Sequence, residues 1–243
     1  MQNISQPVVK KDHESKITGR AIYVSDYHDD NILTGKFLRS TLAHAKLVSV
    51  DVPPLPDGYC YVDKTDVPGD NNVNIVKDDT PVFARDTVEY IGEPIGMIVG
   101  PEESEVDHIL SKIKVSYEEL EPVLDIRKAD TVFFDYEFGK GDMEKAFAEA
   151  DKIYEEEFTT GYQEQAYMEA QGMIAEPEKD GKMLIHGSLQ CPYYIHGAIM
   201  RALACGPDQI HIKQDATGGA FGGKEDFPSI LGCQVAVAAK KAN

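Results

Sequence analysis

The stretch TGGAFGGKEDFP, from Thr217 to Pro228, constrains this chain more than any other. It lies between a strand-forming run, QIHIKQD, and an apolar run that begins at Pro228, so it predicts strand, glycine loop, helix. Read from Gly218, it matches every position of a phosphate-binding loop except the last, where Glu225 stands in place of Ser or Thr. A loop hydroxyl at that position ligates magnesium beside the phosphates, whereas a carboxylate adds negative charge against a polyanion. Nor does a separate strand end in an acidic residue suited to hold the metal. Nucleotide hydrolysis is thus a weak reading, and a plain turn without function is a second. The third reading is a loop stripped of side chains so that backbone amides approach a ligand closely. In that reading Phe221, alone among the glycines, offers a backbone N–H and an apolar wall.

Composition narrows the partners. The 243 residues are 42% hydrophobic and 27% charged, ordinary values for a chain able to bury a core, but the net charge is −18. A surface that acidic repels nucleic acid and anionic lipid. Cys60, Cys191, Cys205 and Cys233 are scattered without a Cys-x-x-Cys or zinc-type spacing, which predicts reduced, buried thiols. The start lacks an apolar signal core and no run approaches 18 apolar residues, so no membrane span and a cytoplasmic location are expected.

Along the chain, RAIYVSD, GKFLRSTLAHAKLVSVDV and GYCYVDK read as short strands, and DVPGDNNVNIVKDDTP as a loop. EPIGMIVG reads as a strand, Pro101 opens a helix with Val106, Ile109, Leu110 and Ile113 on one face, and IKVSYEEL returns to strand. Strand, helix, strand in this compass predicts a right-handed crossover. Residues 17–122 form one α+β domain in this reading, and 123–140 a linker. Residues 141–243 begin a second domain that looks truncated. It holds a helix capped by Asp142, with Met143, Ala146, Phe147 and Ala150 on one face, and a strand in KIYEEEFTT. A hairpin turning at Asp180-Gly181, a helix from Pro192 to Gly206-Pro207, and the strand before the glycine loop follow.

Five segments in this order resemble the molybdenum-binding subunit of the xanthine dehydrogenase/aldehyde oxidase family of molybdenum hydroxylases. They are TGRAIYVSDY, LRSTLAHAKLVSVDV, VFARDTVEYIGEPIGMIV, GYQEQAYMEAQGMIAEPE and the loop GGAFGGKE, together spanning about residues 17–240. The resemblance implies an α/β-hammerhead domain followed by the first, truncated part of a molybdopterin-binding domain. It implies a cofactor of molybdopterin with molybdenum, with iron–sulfur clusters and FAD on other domains or subunits. It further implies hydroxylation of an electron-poor carbon of a purine or related heterocycle with water-derived oxygen.

By the same resemblance, Gln190, which lies 35 residues before Glu225, donates its amide to an oxygen on the metal, and Phe221 supplies a backbone N–H to the metal's ligands. Both contact the molybdenum's ligands rather than ligating the metal through a thiolate. Gly219, Gly222 and Gly223 let the backbone pack on the cofactor, and Glu225 hydrogen-bonds the substrate. Gln163 and Gln165 stand where the family usually has glutamine then histidine and are read as structural; His44, His186 and His196 are read as buried polar ties. Cys191 is not expected to bind the metal. The catalytic base and the cluster-binding cysteines are expected outside this chain, on the remainder of the molybdenum subunit and on iron–sulfur and flavin partners. A non-catalytic assembly module of the same complex is the alternative from a different class.

Overall fold

The computed structural model describes residues 5–77 and 79–242. They divide into one compact unit that runs to Pro122 and resumes at Tyr167, and a second unit of residues 123–166. The compact unit opens with a single helical turn, α1 (His13–Ile17). The strand expected in RAIYVSD is not formed; Val24–Asp26 make a 3₁₀ turn, with Asp26 accepting from the Tyr23 N–H. Alternation alone does not hold a strand where no neighbouring edge pairs with it.

The N-terminal half is built from two antiparallel three-stranded sheets. One has the order β1 (Thr34–Arg39), β5 (Pro94–Gly100), β3 (Cys60–Asp63), and the other β4 (Thr87–Val88), β2 (Ala45–Asp51), β6 (Lys114–Glu119). Every residue of the central strand β5 is buried, which its near-continuous apolar run requires. Its two faces part in period two. Ile98 packs with Val106 and Ile109 of α2 (Glu103–Lys112), while Met97 and Val99 join a larger core on the other face. The right-handed crossover expected over residues 93–120 does not occur. Both edges of β5 are taken, by β1 and β3, so β6 leaves that sheet and pairs antiparallel with β2.

The parallel crossover lies further on. A hairpin joins β7 (Met173–Pro177) to β8 (Met183–Gly187) through Asp180 and Gly181, both in the left-handed region at φ 63° and 72°. Helix α4 (Pro192–Leu203) then carries the chain to β9 (Ile210–Gln214), which pairs parallel to β8. Proline sits in the first turn of α4, where its missing N–H costs nothing. Helix α5 (Phe227–Ala242) packs on α4, and its buried residues include Cys233, Ala236 and Val237. One hydrophobic core joins these elements to Val62 and Met97 of the N-terminal sheets and to Phe83 of the loop before β4, and the buried Gln234 Nε2 donates to the Val82 carbonyl at 2.7 Å.

Residues 123–166 hold one helix, α3 (Met143–Glu149), capped as expected by Asp142, whose carboxylate accepts from the Lys145 N–H at 3.0 Å. The strand expected in KIYEEEFTT is not formed, and the face of Met143, Ala146 and Phe147 buries nothing. Among the described residues, no helix is long and apolar enough to cross a membrane.

Candidate functional site

Gln190 lies three residues past the end of β8, and the parallel crossover returns the chain beside it as the glycine loop. The two are joined through backbone and side chain at once. Gln190 N–H donates to the Lys224 carbonyl at 2.7 Å, and the Lys224 N–H donates to Gln190 Oε1 at 3.2 Å. That pairing leaves Gln190 Nε2 without a partner among the described residues.

Within the loop, the Gly223 N–H donates to Ala220 O at 2.8 Å, closing a tight turn. Its tip places Phe221 at φ 50° and Gly222 at φ 91°. The left-handed region is costly for residues with a Cβ, so glycine at 222 is required by backbone conformation, not crowding, since open space surrounds the position a Cβ would take. Phe221 is 79% exposed. Neither the Phe221 nor the Gly222 N–H has a hydrogen-bond partner among the described residues. Glu225 is exposed, Gly219 is half-buried with φ 105°, and Gly223 is buried.

The lysine of the loop settles the nucleotide question. Lys224 is wholly buried, with its Nζ 2.8 Å from Glu169 Oε2 and 2.8 Å from Ser188 Oγ, over the ring of Tyr167. A phosphate-binding lysine must reach outward to a polyanion; this one is committed inward. Glu169 Oε2 also accepts from the Ser188 hydroxyl at 2.5 Å and the Gly218 N–H at 2.8 Å. Burial works to raise the Glu169 pKa, but the bonds from Lys224, Ser188 and Gly218 outweigh it and hold the carboxyl below its ordinary value. Two buried oxygens beside this network, Glu169 Oε1 and Thr217 Oγ1, have no partner among the described residues. Gln171 completes the support: its Nε2 donates to the Gly223 carbonyl and the Tyr167 hydroxyl, both at 3.0 Å.

Sequence reasoning missed Lys224, Glu169, Ser188 and Gln171 as a unit. The available signal was a lone cation inside a glycine-rich loop, which local pattern reads as a phosphate ligand. Of the other residues considered, His186 is a buried tie, with Nδ1 2.6 Å from Asp215 Oδ2 and Nε2 3.0 Å from Glu176 Oε1. His44 and His196 are only partly buried; each ring meets a backbone carbonyl, of Glu121 and of Pro207. Gln163 and Gln165 are exposed within the 123–166 unit. All four cysteines are free, as expected, but only Cys233 is fully buried, and burial pushes its thiol up to about 12. Burial and the nearby Glu225 and Asp226 raise the Cys191 thiol as well.

A cleft of about 810 Å³ lies elsewhere, between Phe37, Met97, Val99, Met173 and Val235, and contains none of Gln190, Phe221 or Glu225. Because Gln190, the bare loop tip and Glu225 all lie away from this cleft, the loop is the candidate site. Its tip offers neutral N–H donors beside the exposed Glu225 carboxyl, and among the described residues of the loop no cation is free, a set suited to oxygen acceptors on a bound group. This donor set fits the pterin-held metal centre that the resemblance implies.

Two family models match the chain. The aldehyde oxidase and xanthine dehydrogenase a/b hammerhead domain matches residues 18–121, and the molybdopterin cofactor-binding domain matches residues 125–243. Xanthine dehydrogenase/oxidase of Gallus gallus is 34% identical over 98% of this chain, which spans 18% of that relative. A probable xanthine dehydrogenase subunit of Bacillus subtilis is 32% identical over 90% of the chain, which spans 31% of that protein. Among solved structures, quinoline 2-oxidoreductase from Pseudomonas putida 86 superposes with a TM-score of 0.78 at 22% identity, covering 95% of this chain and 33% of that one. Reconstituted CO dehydrogenase from Oligotropha carboxidovorans gives 0.81 at 21% identity, covering 99% and 34%. With both domain models matched in sequence order and the fold shared with these structures, the chain belongs to the xanthine dehydrogenase/aldehyde oxidase family of molybdenum hydroxylases.

Proposed function

We propose that this chain supplies the first half of the cofactor and substrate pocket of a molybdenum hydroxylase that acts on a purine or related heterocycle. The observation that carries the reading is the double pairing of Gln190 with Lys224, which sets an unpartnered amide next to the bare loop tip and the exposed Glu225. When bound, the molybdenum–pterin group supplies the two-electron redox chemistry that hydroxylation of an electron-poor carbon with water-derived oxygen needs. The chain's own residues bind and orient. Gln190 Nε2 and the Phe221 N–H donate to acceptors on the cofactor, and Gly219, Gly222 and Gly223 keep the backbone free of side chains there. The Glu225 carboxyl binds a ring nitrogen of the substrate and steadies charge that builds on the ring. No residue of this chain is assigned as the general base, and iron–sulfur clusters and a flavin on partner domains or subunits would supply the electron transfer.

The test is kcat/KM for xanthine and hypoxanthine in the complete enzyme, with molybdenum content measured in each variant. A hydrogen bond that strengthens in the transition state contributes on the order of 2–4 kcal/mol, so Glu225→Ala should lower kcat/KM by roughly 30- to 1000-fold at unchanged molybdenum content. Glu225→Gln should be milder. Wild-type kcat/KM in Glu225→Ala would remove the substrate role and with it the purine assignment.

A further inference from the structure

The ion pair beneath the loop is an odd way to fill a core. A buried pair is weak evidence of stability, because the cost of desolvating two charges can exceed their attraction, and apolar side chains of equal volume can pack as well. What apolar side chains cannot do is gather donors at one point. Glu169 Oε2 receives three: Ser188 Oγ from the end of β8, the Gly218 N–H from the entry of the loop, and Lys224 Nζ from its exit. Entry and exit of the loop are thereby fastened to one atom. The approach is close enough to dictate sequence, since a Cβ on Gly218 would sit 2.6 Å from Glu169 Cβ.

The fastening reaches the site through one residue. The Lys224 side chain is anchored inside, while its N–H and carbonyl hold Gln190. Gln171 grips the next carbonyl, that of Gly223. We propose that Glu169 and Lys224 are positioning residues, a buried ionic clamp that holds the loop tip and the Gln190 amide in their binding arrangement before any ligand arrives. Neither side chain faces the ligand side of the loop; they act through Gly218, Gly223 and Gln190. The proposal rests on the reading that this loop binds the cofactor, but its test does not.

The experiment follows backbone amide exchange in the full chain for Glu169→Leu, for Lys224→Met/Glu169→Leu, and for Ser188→Ala, with molybdopterin content measured alongside. In Glu169→Leu, the Gly218, Lys224 and Gln190 amides should exchange at least about tenfold faster, while those of β8 stay within about twofold. The double variant leaves no unpaired charge and should recover the melting temperature, yet its loop amides should stay fast. Ser188→Ala, which keeps the pair, should raise loop exchange only about two- to fivefold, and it decides the matter if the other variants fail to accumulate. Wild-type loop protection in Glu169→Leu or Ser188→Ala, or acceleration spread evenly over the molecule, would overturn the clamp. So would a double variant that regains loop protection together with its melting temperature, because the pair would then be packing alone. If wild-type protein holds no molybdopterin, the functional reading fails while the exchange data still judge the clamp.

Discussion

Residues 167–242 and residues 123–166 are both rich in large apolar side chains, and they treat them in opposite ways. In the first stretch Ile185, Leu189, Ile195, Ile199 and Val237 are buried in one core. In the second, Leu124, Ile126, Phe138 and Phe158 are exposed, Phe138 by 91%, and α3 buries no residue. The difference is layers. The β8–α4–β9 crossover and α5 give the first stretch a sheet with helices against it, so each apolar face has a counterpart. The second has a seven-residue helix and a 3₁₀ turn at Ile126–Lys128, with no strand. A helix of that length has too few turns to persist on propensity, and a cap such as Asp142 sets where it starts without giving it anything to pack on. Apolar content becomes a core only when a second layer is within reach of the same chain.

The sharpest test of that contrast sets one charge removal against another. Lys224→Met leaves the half-buried Glu169 carboxylate without its counter-charge, with only the Ser188 and Gly218 donors, and should cost at most about 3–5 kcal/mol in chemical denaturation. Lys145→Met removes the exposed partner of Glu149 in α3, 3.9 Å away, and should cost less than about 0.5 kcal/mol. Equal effects would break the contrast. Next in size is truncation: Ile199→Ala, in the wholly buried face of α4, should cost about 2–5 kcal/mol. Phe138→Ala should leave the denaturation midpoint of the same protein within error, and a loss comparable to that of Ile199→Ala would show that Phe138 has a core after all.

Acid should act on the packed stretch in a defined direction. Burial would raise the Asp215 pKa, but hydrogen bonds from His186, Lys213 and Tyr27 outweigh it and hold the carboxyl below its ordinary value, as happens at Glu169. A carboxyl lowered in the folded state contributes stability that is full above its unfolded pKa and lost as pH falls through the folded one. The melting temperature should therefore fall below about pH 4, and Asp215→Asn should be less stable than wild type at pH 7 but lose several degrees less on acidification. A parallel decline in both proteins would remove Asp215 from the account. The smallest effect is expected at Asp142→Ala, which deletes the cap of α3 and should cost about 1 kcal/mol of local helix stability. It should be visible as faster amide exchange confined to residues 143–149, with no shift in the unfolding of the packed stretch.

Much of the architecture was legible because its signals are local. Asp180-Gly181 between alternating strands, Pro192 at a helix start, Pro101 before the Val106–Ile109–Leu110–Ile113 face, and Asp142 as a cap each act within a few residues. The structure places the hairpin, α4, α2 and α3 where those signals point. The failures were non-local. RAIYVSD and KIYEEEFTT have strand composition but no edge to pair with, and the strand–helix–strand pattern at residues 93–120 could not reveal that β1 and β3 occupy both edges of β5.

The loop divides in the same way. Sequence by itself determined that residues 217–225 would be a bare backbone turn between strand and helix, and that a carboxylate, not a hydroxyl, would follow Lys224, because composition and order state these directly. Only the tertiary structure decided what the lysine is for. Glu169 lies 55 residues from Lys224 and Ser188 lies 36, separations at which no periodicity operates. A cation's direction depends on where its counter-charge comes to rest, and that is known only once β8, the loop and the segment around Glu169 have met in one core.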